Sequence, residues 1–179
     1  PRLAGLLLVL LLSILLLRAF FDSPSQTVLA SALPGAALSN NGQLSSVVPG
    51  MELDMLDVRA IKVNAPGQMR VGILSPAAPK ADIIFIHGHA DRLDNHGALF
   101  TQWRDAGFRV IAFDLPSHGD SNILPIDLYT HEELAGLARM VDQATVEDLD
   151  RPLFLAAWSF GGLVATRIAQ QPALLHGFT

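Results

Sequence analysis

No cysteine occurs anywhere in the 179 residues, which excludes disulfide frameworks, thiolate nucleophiles and cysteine-bound zinc and leaves the redox compartment open. Positive charge is also sparse. Only 12 Lys and Arg stand against 17 Asp and Glu, for a formal net charge of -5, and their scatter forms neither a face for nucleic acid nor a polybasic patch for lipid head groups. Nucleic acid is therefore not an expected partner. What the chain has in quantity is apolar side chain: half of its residues are hydrophobic, enough for a sizeable core. It opens on Pro1 and not on Met, so the natural N-terminus is expected to lie further upstream.

From Leu3 to Leu17 the sequence reads LAGLLLVLLLSILLL, and Ala19, Phe20 and Phe21 extend the run if Arg18 snorkels to the interface. Crossing a bilayer takes about 20 apolar residues, and signal-peptide cores are shorter. The first small-x-small cleavage site, Ala30-Ser31-Ala32, comes late, which favours an uncleaved membrane anchor at residues 1–21 over a signal that is cleaved to release a secreted protein. No polar face interrupts the run, as a buried core helix would require. Residues 22–50 mix Ser, Pro, Gly, Asn and Ala without Lys or Arg and read as a flexible stalk. Arg2 and Arg18 flank the apolar run evenly, so the positive-inside rule does not orient it. The lack of positive charge in the stalk favours an exported domain, and residues 51–179 are that domain.

Within it, Val58 to Val63 and Met69 to Leu74 suggest two strands joined through Asn64-Ala65-Pro66-Gly67, an antiparallel hairpin whose turn uses proline's fixed φ and glycine's freedom. Three short apolar runs follow, at residues 83–86, 109–113 and 153–157, with the pattern of strands buried on both faces of a parallel sheet. Between them Leu99, Phe100, Trp103 and Ala106 share a helical face that ends at Gly107, and Leu134, Leu137, Ala138 and Val141 share another. The second helix opens on Thr130 and Glu133, the spacing of a capping box. A third helix is expected from about Gly161 to Gln170, before Pro172. There is no internal repeat, and alternating strands and helices make an α/β layer fold.

The chemistry concentrates at Ala157-Trp158-Ser159-Phe160-Gly161-Gly162, where a buried strand passes into a helix. That context and spacing fit a nucleophile elbow, whose tight turn projects the serine hydroxyl above the sheet and needs small residues two before and two after it. Ala157 and Gly161 are small enough, although Ala157 replaces the more frequent glycine. The helix behind Ser159 would direct its positive end at an anion formed during acyl transfer. The plainer reading of Ser159 is a cap on an ordinary helix.

Three blocks, IIFIHGHAD at 83–91, VIAFDLPSHGDS at 110–121 and AWSFGG at 157–162, resemble the α/β-hydrolase superfamily and within it the monoacylglycerol lipase and lysophospholipase group, with its serine aminopeptidase-like members. The likeness spans about residues 55–172. Ser117 stands where that group more often has glycine. The resemblance implies an α/β-hydrolase fold with a mostly parallel sheet, flanking helices and an antiparallel N-terminal hairpin, and a serine hydrolase acting on lipid-like carboxylic esters through an acyl-serine on Ser159. The backbone N–H groups of His89 and Phe160 would hold the oxyanion, and no cofactor or metal is implied. His87, Asp114 and His118 would shape loops, while His96 and His131 carry no assigned chemistry.

In that arrangement the acid and the base histidine follow the nucleophile in the chain. After Ser159 there is no Asp or Glu, and the one histidine, His176, follows a helix directly and reads as structural. The expectation is a truncated domain, missing its acid, its base and its substrate-selecting lid. Residues 1–179 alone should then hydrolyse esters very slowly or not at all and should expose a sheet edge. Two other readings stand beside this one. A non-catalytic, membrane-anchored binding protein could keep the fold without the chemistry. His87, His89 and Asp91 also have the HxHxD spacing of a dinuclear zinc hydrolase, but Arg92 stands where a further histidine would be expected.

Overall fold

The computed structural model describes residues 38–39, 47–60, 65–123, 126, 129–171 and 175–176. The apolar run at 3–17 and most of the expected stalk lie outside them, and no helix among the described residues is long and apolar enough to cross a membrane. Six strands form one sheet: β1 (Leu38–Ser39), β2 (Glu52–Ala60), β3 (Ala65–Leu74), β4 (Ala81–Ile86), β5 (Phe108–Phe113) and β6 (Leu153–Ala157), in the spatial order β1-β2-β3-β5-β4-β6. Among the described residues three α-helices accompany them: α1 (Gly97–Asp105), α2 (His131–Thr145) and α3 (Phe160–Ala169).

β4 pairs in parallel with β5 on one side and β6 on the other, while β2, β3 and β5 pair antiparallel. The expected antiparallel N-terminal hairpin is present, but the sheet is mixed and not mostly parallel: among the described residues two strand pairings are parallel and three are antiparallel, because β3 joins β5 in the antiparallel sense and carries the hairpin into the same sheet. Two details of the hairpin differ from expectation. Ala65, Pro66 and Gly67 are not in the turn but in β3, in register with Ala60, Arg59 and Val58, and proline is tolerated there because it sits at the start of a strand. β2 begins at Glu52, six residues before the apolar stretch that suggested it, because pairing with β3 stabilises residues whose own pattern is weak. Part of the expected stalk also belongs to the folded unit: Leu38 and Ser39 pair with Leu56 and Met55, and Val47 and Val48 pack on a core cluster.

Alternation along the central strands divides the core into two layers. Ile84, Ile86, Ile111 and Phe113 face α2 and α3, where Leu134, Leu137, Val141, Val164 and Ile168 complete one cluster. Phe85, Val110 and Ala112 point the other way, onto Leu93 and Phe100. Gly107, at φ 89, ends the α1 segment as its position suggested. Thr130 and Glu133 close the capping box of α2 in both directions. The consequence for function is positional: β4 and β6 are rigid, adjacent and parallel, so the turns that leave their C-terminal ends stand side by side.

Candidate active site

The bend after β6 is built from the backbone upward. Ala157 is paired with Ile86, and the Trp158 N–H continues the ladder to the Ile86 carbonyl at 3.0 Å. The chain must then reverse into α3, and Ser159 does so at φ 51, ψ -118, a conformation that costs a non-glycine residue about 1–3 kcal/mol and persists only where the surroundings impose it. The Ser159 hydroxyl makes no cap to the helix, and the residue is exposed. Serine as an ordinary helix cap is thereby ruled out.

What imposes the bend is close approach. A Cβ on Gly161 would lie 2.2 Å from the Ile86 carbonyl oxygen and 2.6 Å from that of His87, so the first turn of α3 rests directly on the end of β4. A Cβ on Gly88 would lie 3.1 Å from the Ser159 Cβ, so the turn leaving β4 stands against the serine itself. Two elements distant in sequence thus meet at Ser159 through hydrogen atoms where side chains would stand.

The amides around Ser159 divide into tied and untied. Gly88 N–H reaches an Asp91 carboxylate oxygen at 3.4 Å, Ala90 N–H donates to His118 Nε2 at 3.0 Å, and Arg92 N–H donates to Asp91 Oδ1 at 2.8 Å. Among the described residues neither the His89 nor the Phe160 amide has an acceptor. His87 Nδ1 donates to the Gly88 carbonyl at 2.7 Å, and because the peptide is planar and trans this turns the His89 N–H to the opposite side. The His89 side chain is exposed and lies near the Phe160 ring, with centroids 6.3 Å apart. At the start of α3, Phe160 N–H also points out of the positive end of the helix.

His87 itself is fully buried, and its Nε2 accepts the Leu115 N–H at 2.9 Å. Burial pushes its imidazole below the ordinary histidine value; the Gly88 carbonyl and the Asp114 carboxylate oppose that shift without reversing it. In the unfolded chain this imidazole gains its proton near pH 6.5, and in the folded chain only at lower pH. Between the two values the unfolded state binds more protons, so stability rises with pH through this window and is lost as pH falls through it. Denaturant unfolding from about pH 7.5 down to about pH 5 should show that loss in the parent and a shallower one in His87→Gln. Equal slopes would contradict it.

Behind the loops sits a buried guanidinium that sequence patterning did not reveal. Arg70, on β3, contacts Asp114 at 2.6 Å, Asp120 at 2.8 Å and Asp94 at 2.6 Å. Asp114 in turn accepts the Leu93 N–H at 2.9 Å and the Asp120 N–H at 3.0 Å. One cation therefore pins the turn after β4 to the loop after β5. Asp114, expected to organise its loop, does so, and Ser117 adopts φ 56, the region in which glycine is the less costly residue.

Of the remaining histidines, His131 has its ring 5.7 Å from that of Phe160, next to Ser159. His96 Nε2 meets Asp91 at 2.7 Å, and His131 is the exposed first residue of α2. His176 bonds Asp142, and its Nε2 lies 3.6 Å from Asp82. Asp82 is at the far end of β4 from the serine, roughly 15–20 Å away at ~3.3 Å per residue. Among the described residues no histidine bonds the Ser159 hydroxyl. The HxHxD reading fails on geometry: both His87 ring nitrogens are taken by backbone groups, and Asp91 is taken by Asn95, His96 and backbone amides. Burial alone would raise the Asp91 carboxyl, but those bonds outweigh it and hold it well below the usual range. No group of three ligating side chains among the described residues is placed to hold a metal ion.

Residues 83–178 match the profile described as the Alpha/beta hydrolase family. A phospholipase of Bacillus subtilis is 32% identical over 94 residues, covering 52% of this chain and 36% of the relative. A putative non-heme haloperoxidase of Mycobacterium phage D29 is 32% identical over 105 residues, covering 58% and 36%. The chain thus spans about a third of the length of these relatives. Among solved structures, a probable hydrolytic enzyme from Pseudomonas aeruginosa superposes with a TM-score of 0.59 at 22% identity, over 69% of this chain and 38% of that one.

Proposed function

Since the chain belongs to the alpha/beta hydrolase family, we propose that it carries the nucleophile and oxyanion-binding half of a serine hydrolase for carboxylic esters, with Ser159 attacking the acyl carbonyl. The observation that carries this reading is the Ser159 backbone at φ 51, exposed and backed by Gly88 at 3.1 Å. A binding module would gain nothing from that strain. In the reaction, the Ser159 oxygen bonds to the ester carbonyl carbon while its proton passes to a general base. The negative charge that develops on the carbonyl oxygen is taken by the His89 and Phe160 amides, and on collapse the base returns its proton to the leaving oxygen, which departs as the alcohol and leaves an acyl-serine for water to release.

A lipid-like ester, of the lysophospholipid or monoacylglycerol type, is the proposed substrate. The phospholipase name of the Bacillus subtilis relative supports it, as does the apolar run at residues 3–17, which in this reading tethers an exported domain to a membrane. The acid and the base belong to the same reading as residues of the full-length protein, because among the described residues no histidine bonds the Ser159 hydroxyl. The test is turnover by the full-length protein of a nitrophenyl ester, a monoacylglycerol and a lysophospholipid. Hydrolysis of the last two is expected. Peptide cleavage without ester hydrolysis would overturn the substrate class.

A further inference from the structure

Ala90 and Ser159 are two of the three non-glycine residues that the described chain holds at positive φ, and the two turns they occupy face each other across Gly88. The strain at Ser159 is explained by Gly161 resting on β4. The strain at Ala90, at φ 55, has a different cause. Its N–H is held by His118 Nε2 at 3.0 Å, while His118 Nδ1 donates to the Pro116 carbonyl at 2.8 Å. The second bond assigns the proton to Nδ1 and leaves Nε2 with its lone pair, the neutral tautomer in which Nε2 can accept the Ala90 N–H.

Resting on the reading of Ser159 as nucleophile, we propose that His118 is a positioning residue for the oxyanion-binding amide of His89. The argument is one of peptide planes. His87 fixes the plane before the His89 Cα through the Gly88 carbonyl, and His118 fixes the plane after it through the Ala90 N–H. With both planes fixed, the His89 N–H has no freedom left about its own backbone bonds. Remove the His118 acceptor and Ala90 can leave the left-handed region, a change favoured by about 1–2 kcal/mol for an L-residue that turns the chain at His89.

His118 is itself held firmly enough to do this. It is 9% exposed, its own N–H bonds the Leu115 carbonyl at 3.0 Å, and its carbonyl accepts the Ser121 N–H at 3.0 Å. Asp114 and Arg70 anchor the loop that carries it. The rings of His87 and His89 stand 5.3 and 5.6 Å from its own, and among the described residues nothing beyond Ala90 and Pro116 is bonded to its ring nitrogens.

The experiment compares the full-length parent, His118→Ala, His118→Gln and Ser159→Ala in ester hydrolysis, together with the 15N shift of His118 Nε2 in the parent. An oxyanion donor is worth about 100- to 1000-fold in rate, and a misaligned one loses part of that. His118→Ala should therefore lower kcat by roughly 10- to 100-fold with KM little changed. His118→Gln, whose amide oxygen replaces the Nε2 lone pair, should recover most of it. A merely structural role would give no such recovery and no split between kcat and KM. The parent Nε2 should show the shift of an unprotonated nitrogen, a readout that holds even if the alanine variant does not fold. The inference is overturned if His118→Ala keeps the parent kcat, if Gln and Ala are equally impaired, or if Nε2 carries the proton. Retained turnover in Ser159→Ala would instead overturn the nucleophile reading itself.

Discussion

Ester turnover by the full-length protein is expected to fall on the order of 10⁴- to 10⁶-fold when Ser159 is replaced by alanine. The magnitude follows from the proposed role of the residue: without its oxygen no acyl-enzyme would form, and what survives would be the contribution of the proposed oxyanion-binding amides and of substrate binding. KM should change little and kcat should carry the loss, because Ser159 is exposed and among the described residues its hydroxyl makes no cap to the helix. Stability should not fall. A residue at φ 51 gains nothing from a hydroxyl that caps no helix, so the melting temperature of Ser159→Ala should match or slightly exceed that of the parent. Initial rates and thermal unfolding on the same samples check both halves, and turnover within tenfold of the parent would count against the assignment.

The second large effect concerns two adjacent glycines. A Cβ on Gly161 meets backbone at 2.2 to 2.8 Å, atoms that cannot turn aside, whereas a Cβ on Gly162 has nothing within 4 Å. Gly161→Ala must therefore push α3 away from the end of β4, at about 3 kcal/mol or more, the upper part of the range for overpacking. It also draws Ser159 away from Gly88, so activity should be lost with stability. Gly162→Ala should do the reverse, since alanine is favoured over glycine inside a helix by up to about 1 kcal/mol. Denaturant unfolding of the two variants should separate them by several kcal/mol, and equal effects would show that the contact with the Ile86 and His87 carbonyls is not what shapes the turn.

Much of this arrangement was legible in the sequence where the signal is local. The Thr130 and Glu133 box and the small residues around Ser159 each say what they do within a few positions, and Leu153 to Ala157 is the expected strand, although it is not buried on both faces: it lies at the edge of the described sheet and leaves Phe154 exposed. Other features depend on what arrives from elsewhere in the chain. Arg70 meets carboxylates 24, 44 and 50 residues away, and nothing at position 70 announces a buried cation. Asp82, Arg109 and Arg151 make a second such network at the N-terminal ends of β4, β5 and β6, with contacts of 3.3 and 2.9 Å, equally silent in the sequence. Pro66 and Gly67 misled because their preference for turns is real, and pairing with β2 overrode it. Ala90 could not have been picked out at all, since alanine carries no signal for a left-handed backbone and the His118 acceptor of its N–H lies 28 residues away.

The central claim is that the bend between β6 and α3 presents an activated acyl-accepting oxygen. Reaction of the full-length protein with a fluorophosphonate, followed by mass spectrometry of the proteolysed adduct, tests it most directly. The account predicts one phosphonyl group per chain, on the peptide containing Ser159, and none in Ser159→Ala. An adduct on a different residue, or undiminished labelling of the alanine variant, would contradict it.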